Sequence, residues 1–299
     1  MRKNVQKTFR IWLGKDWLSA LGFLSPALVL LGLFVYHPLI QSFLYSFTRW
    51  DMVQEPQWVG TTNYQILMQD PRFWTSVRQT FLFTFGTVIP CVILSLFFAI
   101  LISGKIRGAK LYQSIYFLPV VTSLVIVATI WLYVLQPEYG PLNYLLSFLG
   151  IKGPLWLRSS STAMSSIIGM TIWRDFGYCL TLFLAGLTNI PSMFYEAASI
   201  DGASAWQRFR HITLPLLAPT TLFIFIVSVI RSFQVFTQIH VLTQGGPMDS
   251  TLVLVYYIWQ QAFRYYRAGY SSAAAVIFFV MIVVLSILQM RISERRIHY

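Results

Sequence analysis

Three charged side chains lie inside long apolar stretches of this chain: Arg174, Asp175 and Arg231. A charge at the centre of a lipid bilayer costs roughly 3 kcal/mol or more unless it meets water, a counter-charge or a ligand. Residues of this kind are therefore functional candidates. Arg174 and Arg231 each lie about ten residues from the outer end of their stretch, so we expect them at similar depth.

Polar and aromatic side chains on the same two stretches would suit a hydrated path for a polar solute. Rings can stack on the apolar faces of such a solute, and amides and hydroxyls can bind its hydroxyl groups. The neighbours in question are Trp173, Tyr178, Ser228, Ser232, Gln234 and Gln238. With the three charges, they form the predicted substrate path.

A second candidate is the polar segment at residues 196–202, Glu-Ala-Ala-Ser-Ile-Asp-Gly. It predicts two short helices on the membrane surface, joined by a turn. Gly202 can adopt the left-handed conformation that ends the first helix. Ser204, with Gln207 three residues later, predicts a capping box that begins the second.

Prolines and alanines in and after this segment also have predicted roles. Pro215 and Pro219 are expected to end the second short helix and to start the next span. Ala197 and Ala198 allow another surface to approach closely. The segment is therefore predicted to dock a partner.

Several kinds of chemistry have no residues to support them. The chain contains no Gly-x4-Gly-Lys-Ser/Thr phosphate loop, no His-Glu-x-x-His and no Gly-x-Ser-x-Gly. Cys91 and Cys179 both fall in apolar stretches and are interpreted as small buried residues, and the four histidines have no ligand spacing. We predict no metal site, no enzyme activity and no ATP bound by this chain itself.

The composition places these residues in a membrane protein. Of 299 residues 56% are hydrophobic and only 11% charged, with a mean hydropathy of +0.62, which excludes an ordinary soluble domain. Six stretches can cross about 30 Å of hydrocarbon: about 17–40, 79–102, 115–135, 164–187, 219–241 and 271–290. The apolar run at 251–263 is shorter, so it is expected to pack at the outer surface or to enter the membrane and return.

Lysine and arginine positions predict the orientation. Of the 22 lysines and arginines, thirteen lie on the same side of the membrane as residues 196–202, and seven lie on the opposite side. Because cytoplasmic loops carry an excess of positive residues, both termini and this segment are expected in the cytoplasm. The net charge of +12 is explained by this flanking pattern, and nucleic-acid binding is not expected. Aromatic residues of the first outer loop, about 40–78, form either an interfacial belt or a docking surface for an extracytoplasmic partner.

The spacing of the polar segment resembles a known family. Glu196-Ala-Ala, three residues, Gly202, nine residues and Ile212-x-Leu-Pro is the pattern of the EAA loop in permease subunits of binding-protein-dependent ABC importers. Residues 232–236, 242–247 and 268–273 are similar to the sugar and glycerol-phosphate branch, in particular to the first permease of maltose-type systems.

The resemblance implies a fold and a set of partners. The fold is an all-α bundle of six transmembrane helices of the type I importer (MetI-like) class, formed by 1–299 as a single domain with a cytoplasmic coupling loop at 190–218. The partners are a second homologous permease subunit, two ATPase subunits that hold ATP and Mg, an extracytoplasmic solute-binding protein and the lipid of the inner membrane of a bacterium or archaeon.

It also implies residue roles. The ATPase-coupling residues are Glu196, Ala197, Ala198, Asp201, Gly202, Ile212, Leu214 and Pro215. In maltose-type permeases the sugar site falls at positions that here lie near 173–178 and 228–235. This chain departs from that pattern with its arginines and Asp175, so Arg174 and Asp175 either line the path or pair with the second subunit. A glycerol-phosphate importer remains an alternative, and an ion-coupled carrier a weaker one, because Asp175 alone is a poor proton relay.

Overall fold

The computed structural model describes residues 16–103 and 109–294, and this part of the chain is mainly helical. The helices are α1 (Asp16–Leu31), α2 (His37–Tyr45), α3 (Thr62–Gln69), α4 (Pro71–Ser103), α5 (Ala109–Val121), α6 (Leu124–Val134), α7 (Pro141–Phe148), α8 (Ala163–Thr188), α9 (Ser192–Ile200), α10 (Ala205–Arg208), α11 (Leu214–Leu216), α12 (Ala218–Phe233), α13 (Thr237–Leu242), α14 (Leu254–Trp259) and α15 (Ala268–Glu294). The all-α membrane fold predicted from composition is confirmed.

Short irregular elements connect or extend these helices. π-Helical turns lie at Gly32–Tyr36, Phe209–Thr213 and Gln260–Arg264, and a 3₁₀ turn lies at Trp156–Arg158. In the loop between α2 and α3, strands β1 (Thr48–Arg49) and β2 (Gln57–Trp58) pair antiparallel. This two-residue hairpin was not predicted, because neither strand has an alternating apolar pattern long enough to detect.

Within residues 16–103 and 109–294, helix length and composition give four continuous candidate spans: Ser19–Tyr45, Pro71–Ser103, Ala163–Thr188 and Ala268–Arg291. Two pairs of consecutive helices are long and apolar enough to span the membrane only if the two helices of each pair are counted as one span. These pairs are Leu111–Val121 with Leu124–Val134, bent by 95°, and Ala205–Leu216 with Ala218–Phe233, bent by 61°. The structure therefore has six spans if each bent pair crosses once.

The predicted third span, 115–135, is not one straight helix. Ser123 has extended backbone, with ψ of 128°, and separates α5 from α6. Pro119 lies in the last turn of α5, where its missing N–H removes a helical hydrogen bond. The chain consequently turns through 95° within what hydropathy alone presents as a continuous apolar stretch.

The predicted fifth span, 219–241, also differs. Its helix α12 ends at Phe233, and α13 begins only at Thr237. The helical stretch Ala205–Leu216 continues through Pro215 and ends one residue after it, close to the predicted end. The bend follows at Leu217, and Pro219 lies in the first turn of α12, as expected.

The core lies where α4, α8 and α12 pack together. One buried cluster includes Phe183, Leu180 and Ile224, and another is centred on Phe83, Met170 and Tyr257. α5 crosses α8 so closely that a Cβ built on Gly177 would overlap the carbonyl oxygen of Tyr116. Helix α8, which carries two of the three intramembrane charges, is therefore held from several sides.

The run at 251–263 does not lie exposed at the outer surface. It forms α14 and the start of the following π-helical turn, and Leu254, Tyr256 and Tyr257 are 0–1% exposed. The buried residues of this run pack with Phe73 of α4 and with Tyr270 and Ala274 of α15. That the run packs at the outer surface, or enters the membrane and returns, stays a prediction.

A polar cluster fastens this buried run to α4. The Asp70 Oδ2 accepts hydrogen bonds from the Tyr257 hydroxyl (2.5 Å) and the Tyr270 hydroxyl (2.9 Å), and its Oδ1 accepts one from the Arg72 N–H (2.8 Å). Burial raises the pKa of Asp70, but these hydrogen bonds outweigh burial, so the net pKa is below its ordinary value. Arg72 also makes a two-bond ion pair with Asp249, at 2.8 and 2.9 Å.

Candidate functional site

A polar recess of about 240 Å³ lies at the junction of α4, α6, α8 and the break between α12 and α13. Its wall consists of Phe83, Leu124, Thr171, Arg174, Asp175, Arg231, Ser232, Gln234, Val235, Phe236, Thr237 and Gln238. All three intramembrane charges predicted to be functional thus meet in one place. The recess combines two guanidinium groups, one carboxylate, and several hydroxyls and amides.

Arg174 and Asp175 form an ion pair in this recess, with Arg174 Nη1 3.0 Å from Asp175 Oδ1. Their side chains are 20% and 33% exposed, so both charges are largely removed from solvent. The Nε of Arg174 is buried and has no hydrogen-bond partner within residues 16–103 and 109–294. The pair therefore compensates much of the charge of Arg174 but leaves one of its donors unsatisfied.

Arg231 has a different environment. Its guanidinium carbon lies 4.6 Å from the centre of the Tyr178 ring, which is within cation–π range. It forms no ion pair with the described part of the chain. Because it occupies the last turn of α12, the helix dipole favours its positive charge.

The break between α12 and α13 shapes the recess. Residues 234–236 are not helical. All three line the cavity, together with the first two residues of α13. Non-helical backbone at membrane depth is tolerated only where it is buried in protein or lines a water-filled space. The polar side chains Gln234, Thr237 and Gln238 at this break favour the second explanation.

The structure brings together six of the nine predicted path residues, namely Arg174, Asp175, Arg231, Ser232, Gln234 and Gln238. The other three lie outside the lining. Trp173 is 48% exposed and packs on Trp131, with ring centres 5.5 Å apart. Ser228 points to Cys179, with Oγ 3.8 Å from Sγ, and Tyr178 contributes only by contacting Arg231.

Sequence reasoning missed several lining residues. Thr171 lies one helical turn before Asp175, and this i, i+4 spacing was a signal that could have identified it. Phe83 and Leu124 come from α4 and α6, which no spacing connects to α8. Their contribution depends on how the helices pack.

The loop at 190–218 has the predicted local structure. Helix α9 ends at Ile200, and Gly202 has φ of +74°, the left-handed conformation expected of it. The Ser204 Oγ accepts from the Gln207 N–H, and the Gln207 Oε1 accepts from the Ser204 N–H, so the capping box is present. These features follow from neighbouring residues and needed no tertiary information.

The loop presents an exposed surface of mixed character. Among the predicted coupling residues, Glu196, Ala197, Asp201, Gly202, Leu214 and Pro215 are exposed, and Ala198 and Ile212 are half-buried. Apolar side chains accompany them: Ile200 is 88% exposed, and Met193 and Trp206 are each 65% exposed. Large exposed apolar side chains together with exposed carboxylates are typical of an interaction surface.

Two side-chain hydrogen bonds tie α9 to the rest of the loop. The Tyr195 hydroxyl lies 2.9 Å from the Thr213 Oγ1, and Arg208 Nη1 donates to the Ser199 Oγ at 2.9 Å. Thr213 is buried and precedes α11 and α12 directly. Tyr195 therefore links α9 to the buried residue that directly precedes α11.

No group of three or more His, Cys, Asp or Glu side chains is placed to hold a metal ion in the described ranges 16–103 and 109–294. Cys91 and Cys179 are free and buried, with their sulfur atoms 3.8 Å apart.

Comparison with known proteins places the chain among transport proteins. Residues 70–299 match the family described as "Binding-protein-dependent transport system inner membrane component". The multiple sugar-binding transport system permease protein MsmF of Streptococcus mutans is 34% identical, over 96% of this chain and 99% of that protein. The sn-glycerol-3-phosphate transport system permease protein UgpA of Agrobacterium fabrum is 32% identical, over 92% of this chain and 94% of that protein.

A solved structure supports the same placement. It is the crystal structure of a bacterial alginate ABC transporter in complex with an alginate pentasaccharide-bound periplasmic protein. One of its chains matches with a TM-score of 0.84 and 25% identity, over 94% of this chain and 95% of that chain.

Proposed function

Because the chain belongs to the binding-protein-dependent transport system inner membrane components, we propose that it is one permease subunit of an ATP-driven importer for a sugar or oligosaccharide. The observation that carries the proposal is the connection between the exposed loop and the polar recess. Helices α8 and α12 line the polar recess, and the exposed loop at 190–218 joins one to the other. A partner that moves this loop therefore acts on both walls of the recess.

The solute class is supported by the relatives. MsmF is described as part of a multiple sugar-binding system, and the matching solved structure is of an alginate transporter. The hydroxyls, amides and aromatic ring of the recess suit a polyhydroxylated solute. The likeness to UgpA keeps a glycerol-phosphate-type solute as the alternative.

ATP hydrolysis belongs to separate ATPase subunits in this proposal, because the chain has no phosphate loop. Glu196 would enter a cleft of the ATPase, where backbone or basic groups bind its carboxylate, and Gly202 would let the chain turn out of that cleft. Closure of two ATPase subunits on ATP with Mg then moves α9. The Tyr195–Thr213 contact passes this motion to α12, and the recess opens to the outside.

The first span supports a second permease subunit. None of the most apolar part of Ser19–Tyr45 is buried by the described residues of this chain. The His37–Tyr45 part of this span contacts α15, and the apolar surface that is left uncovered gains packing when another helical subunit covers it. In this proposal the outer loops face a solute-binding protein, and the flanking charges favour a cytoplasmic position for both termini.

Co-purification with an ATPase tests the coupling role. In the double variant Glu196→Lys, Gly202→Trp, a reversed charge and a strained bulky residue at φ +74° replace the docking surface. We expect insertion into the membrane as in the wild type, with loss of the co-purified ATPase and of uptake. Glu55→Lys, the same charge change in the first outer loop, is the control and should retain the ATPase. Wild-type ATPase yield and uptake in the double variant would contradict the proposal.

A further inference from the structure

We propose that the transported solute carries an oxyanion, a carboxylate or a phosphate group, and that Arg231 binds this group in the recess. The inference rests on the proposed function and adds the charge of the solute to it. Its basis is a charge imbalance: two guanidinium groups and one carboxylate line the same space.

The first step is to assign the single carboxylate. Asp175 makes its short contact with Arg174, at 3.0 Å. It also lies near enough to Arg231 to interact electrostatically, but it is not in salt-bridge contact with it. One carboxylate cannot compensate two guanidinium groups, so the recess wall formed by the described residues keeps a net positive charge.

The second step is the geometry of Arg231. Tyr178 covers one flat face of the guanidinium, at 4.6 Å from the ring centre. The N–H groups of a guanidinium lie in its plane, so ring contact leaves them available. Arg231 is exposed and lines the recess. An arginine held by its face, with its edge free, is suited to bind a carboxylate or phosphate through two parallel hydrogen bonds.

The third step concerns the rest of the solute. Apart from the Arg174–Asp175 pair, the polar groups that line the wall with Arg231 are neutral: Thr171, Ser232, Gln234, Thr237 and Gln238. These side chains can bind hydroxyl groups but do not add charge. A solute that combines several hydroxyls with one negative group, an acidic sugar or a sugar phosphate, matches this arrangement better than a neutral sugar.

Direct binding to the assembled transporter tests the inference. The complex of both permease subunits and the ATPases is purified without the solute-binding protein, and calorimetry compares digalacturonate with maltose and glucose 6-phosphate with glucose. We expect at least one anionic probe to bind roughly tenfold or more tightly than its neutral counterpart. The preferred probe identifies the group as carboxylate or phosphate, and added salt should reduce the preference.

Variants assign the preference to its residue. Arg231→Gln should reduce the anionic preference to within about twofold of unity, and Arg231→Lys should keep part of it, because the charge remains but the two-bond geometry does not. Arg264→Gln, which removes an exposed arginine outside the recess, is the matched control and should leave both affinities unchanged.

Three results would overturn the inference. The first is equal affinity of the wild type for charged and neutral probes, and the second is an equal loss of affinity for both kinds of probe in Arg231→Gln. The third is an Arg231→Gln complex that loses the second permease subunit but still prefers the anionic probe. The last would place Arg231 at the subunit interface. ATP-driven uptake is measured separately in proteoliposomes with the binding protein. Its absence would contradict the proposed function, whereas uptake without anionic preference would contradict only this inference.

Discussion

Replacing Gly177 by alanine should loosen the crossing of α5 and α8. A Cβ at this position would overlap the Tyr116 carbonyl oxygen and lie 2.6 Å from its carbonyl carbon and 3.1 Å from the Phe117 Cα. All three atoms are backbone, so no side-chain rotation can relieve the overlap. The two helices would have to separate by about 1.5 Å to restore ordinary contact.

Two opposing effects set the size of the change. Alanine favours a helix over glycine by up to about 1 kcal/mol. Overpacking that forces backbone shifts costs about 1–3 kcal/mol or more. Since the clash is with rigid backbone, we expect the steric cost to exceed the helix gain by about 1–2 kcal/mol, which corresponds to a fall in Tm of several °C.

Gly169→Ala in the same helix is the matched control. A Cβ at Gly169 meets nothing within 4 Å, so only the helix-propensity gain remains, and Tm should be unchanged or slightly higher. Thermal unfolding of both variants in the same detergent gives the comparison. Because Gly177 is two residues from Asp175, uptake should also fall in Gly177→Ala. Equal Tm values for the two glycine variants would refute the close approach of α5 to α8.

Three further outcomes are expected. Tyr195→Phe removes the hydrogen bond with Thr213, worth about 1 kcal/mol. The number of ATP molecules hydrolysed per solute imported should increase. An unchanged ratio would exclude Tyr195 as a link between α9 and α12. The pKa of Asp70 is lowered in the folded state, so the ionised carboxylate stabilises the fold at neutral pH, and this stabilisation is lost as the pH falls through that pKa. The difference in Tm between the wild type and Asp70→Asn should therefore shrink in acid. A difference that stays constant with pH would contradict this. A reporter fused after Tyr299 should be cytoplasmic, and an outside reporter would refute the topology.

The features that were predictable from sequence depend on composition or on near neighbours. Apolar stretches of sufficient length identify an all-α membrane protein, because the bilayer fixes the length that a helix needs. The left-handed Gly202 and the Ser204–Gln207 capping box involve residues within one turn of each other. Local hydrogen bonding and steric freedom decide such features before the chain packs.

The parts that were not predictable depend on packing. The turn at Ser123 and the break after Phe233 both interrupt runs whose hydropathy is continuous. Trp173 and Arg174 are adjacent on α8, yet only Arg174 lines the recess, because successive helical residues point about 100° apart. Phe83 joins the lining from a helix some 90 residues earlier. The sequence identified the three charges and their polar neighbours Ser232, Gln234 and Gln238, but not the residues that α4 and α6 contribute.

ATP-driven uptake by the reconstituted transporter tests the central claim most directly. Proteoliposomes contain this chain, its second permease subunit and the ATPases, with the solute-loaded binding protein outside and ATP with Mg inside. We predict that labelled solute accumulates only when ATP is present, that the loaded binding protein stimulates hydrolysis, and that collapsing ion gradients has no effect. Accumulation that needs an ion gradient and proceeds without ATP would contradict the assignment and favour an ion-coupled carrier.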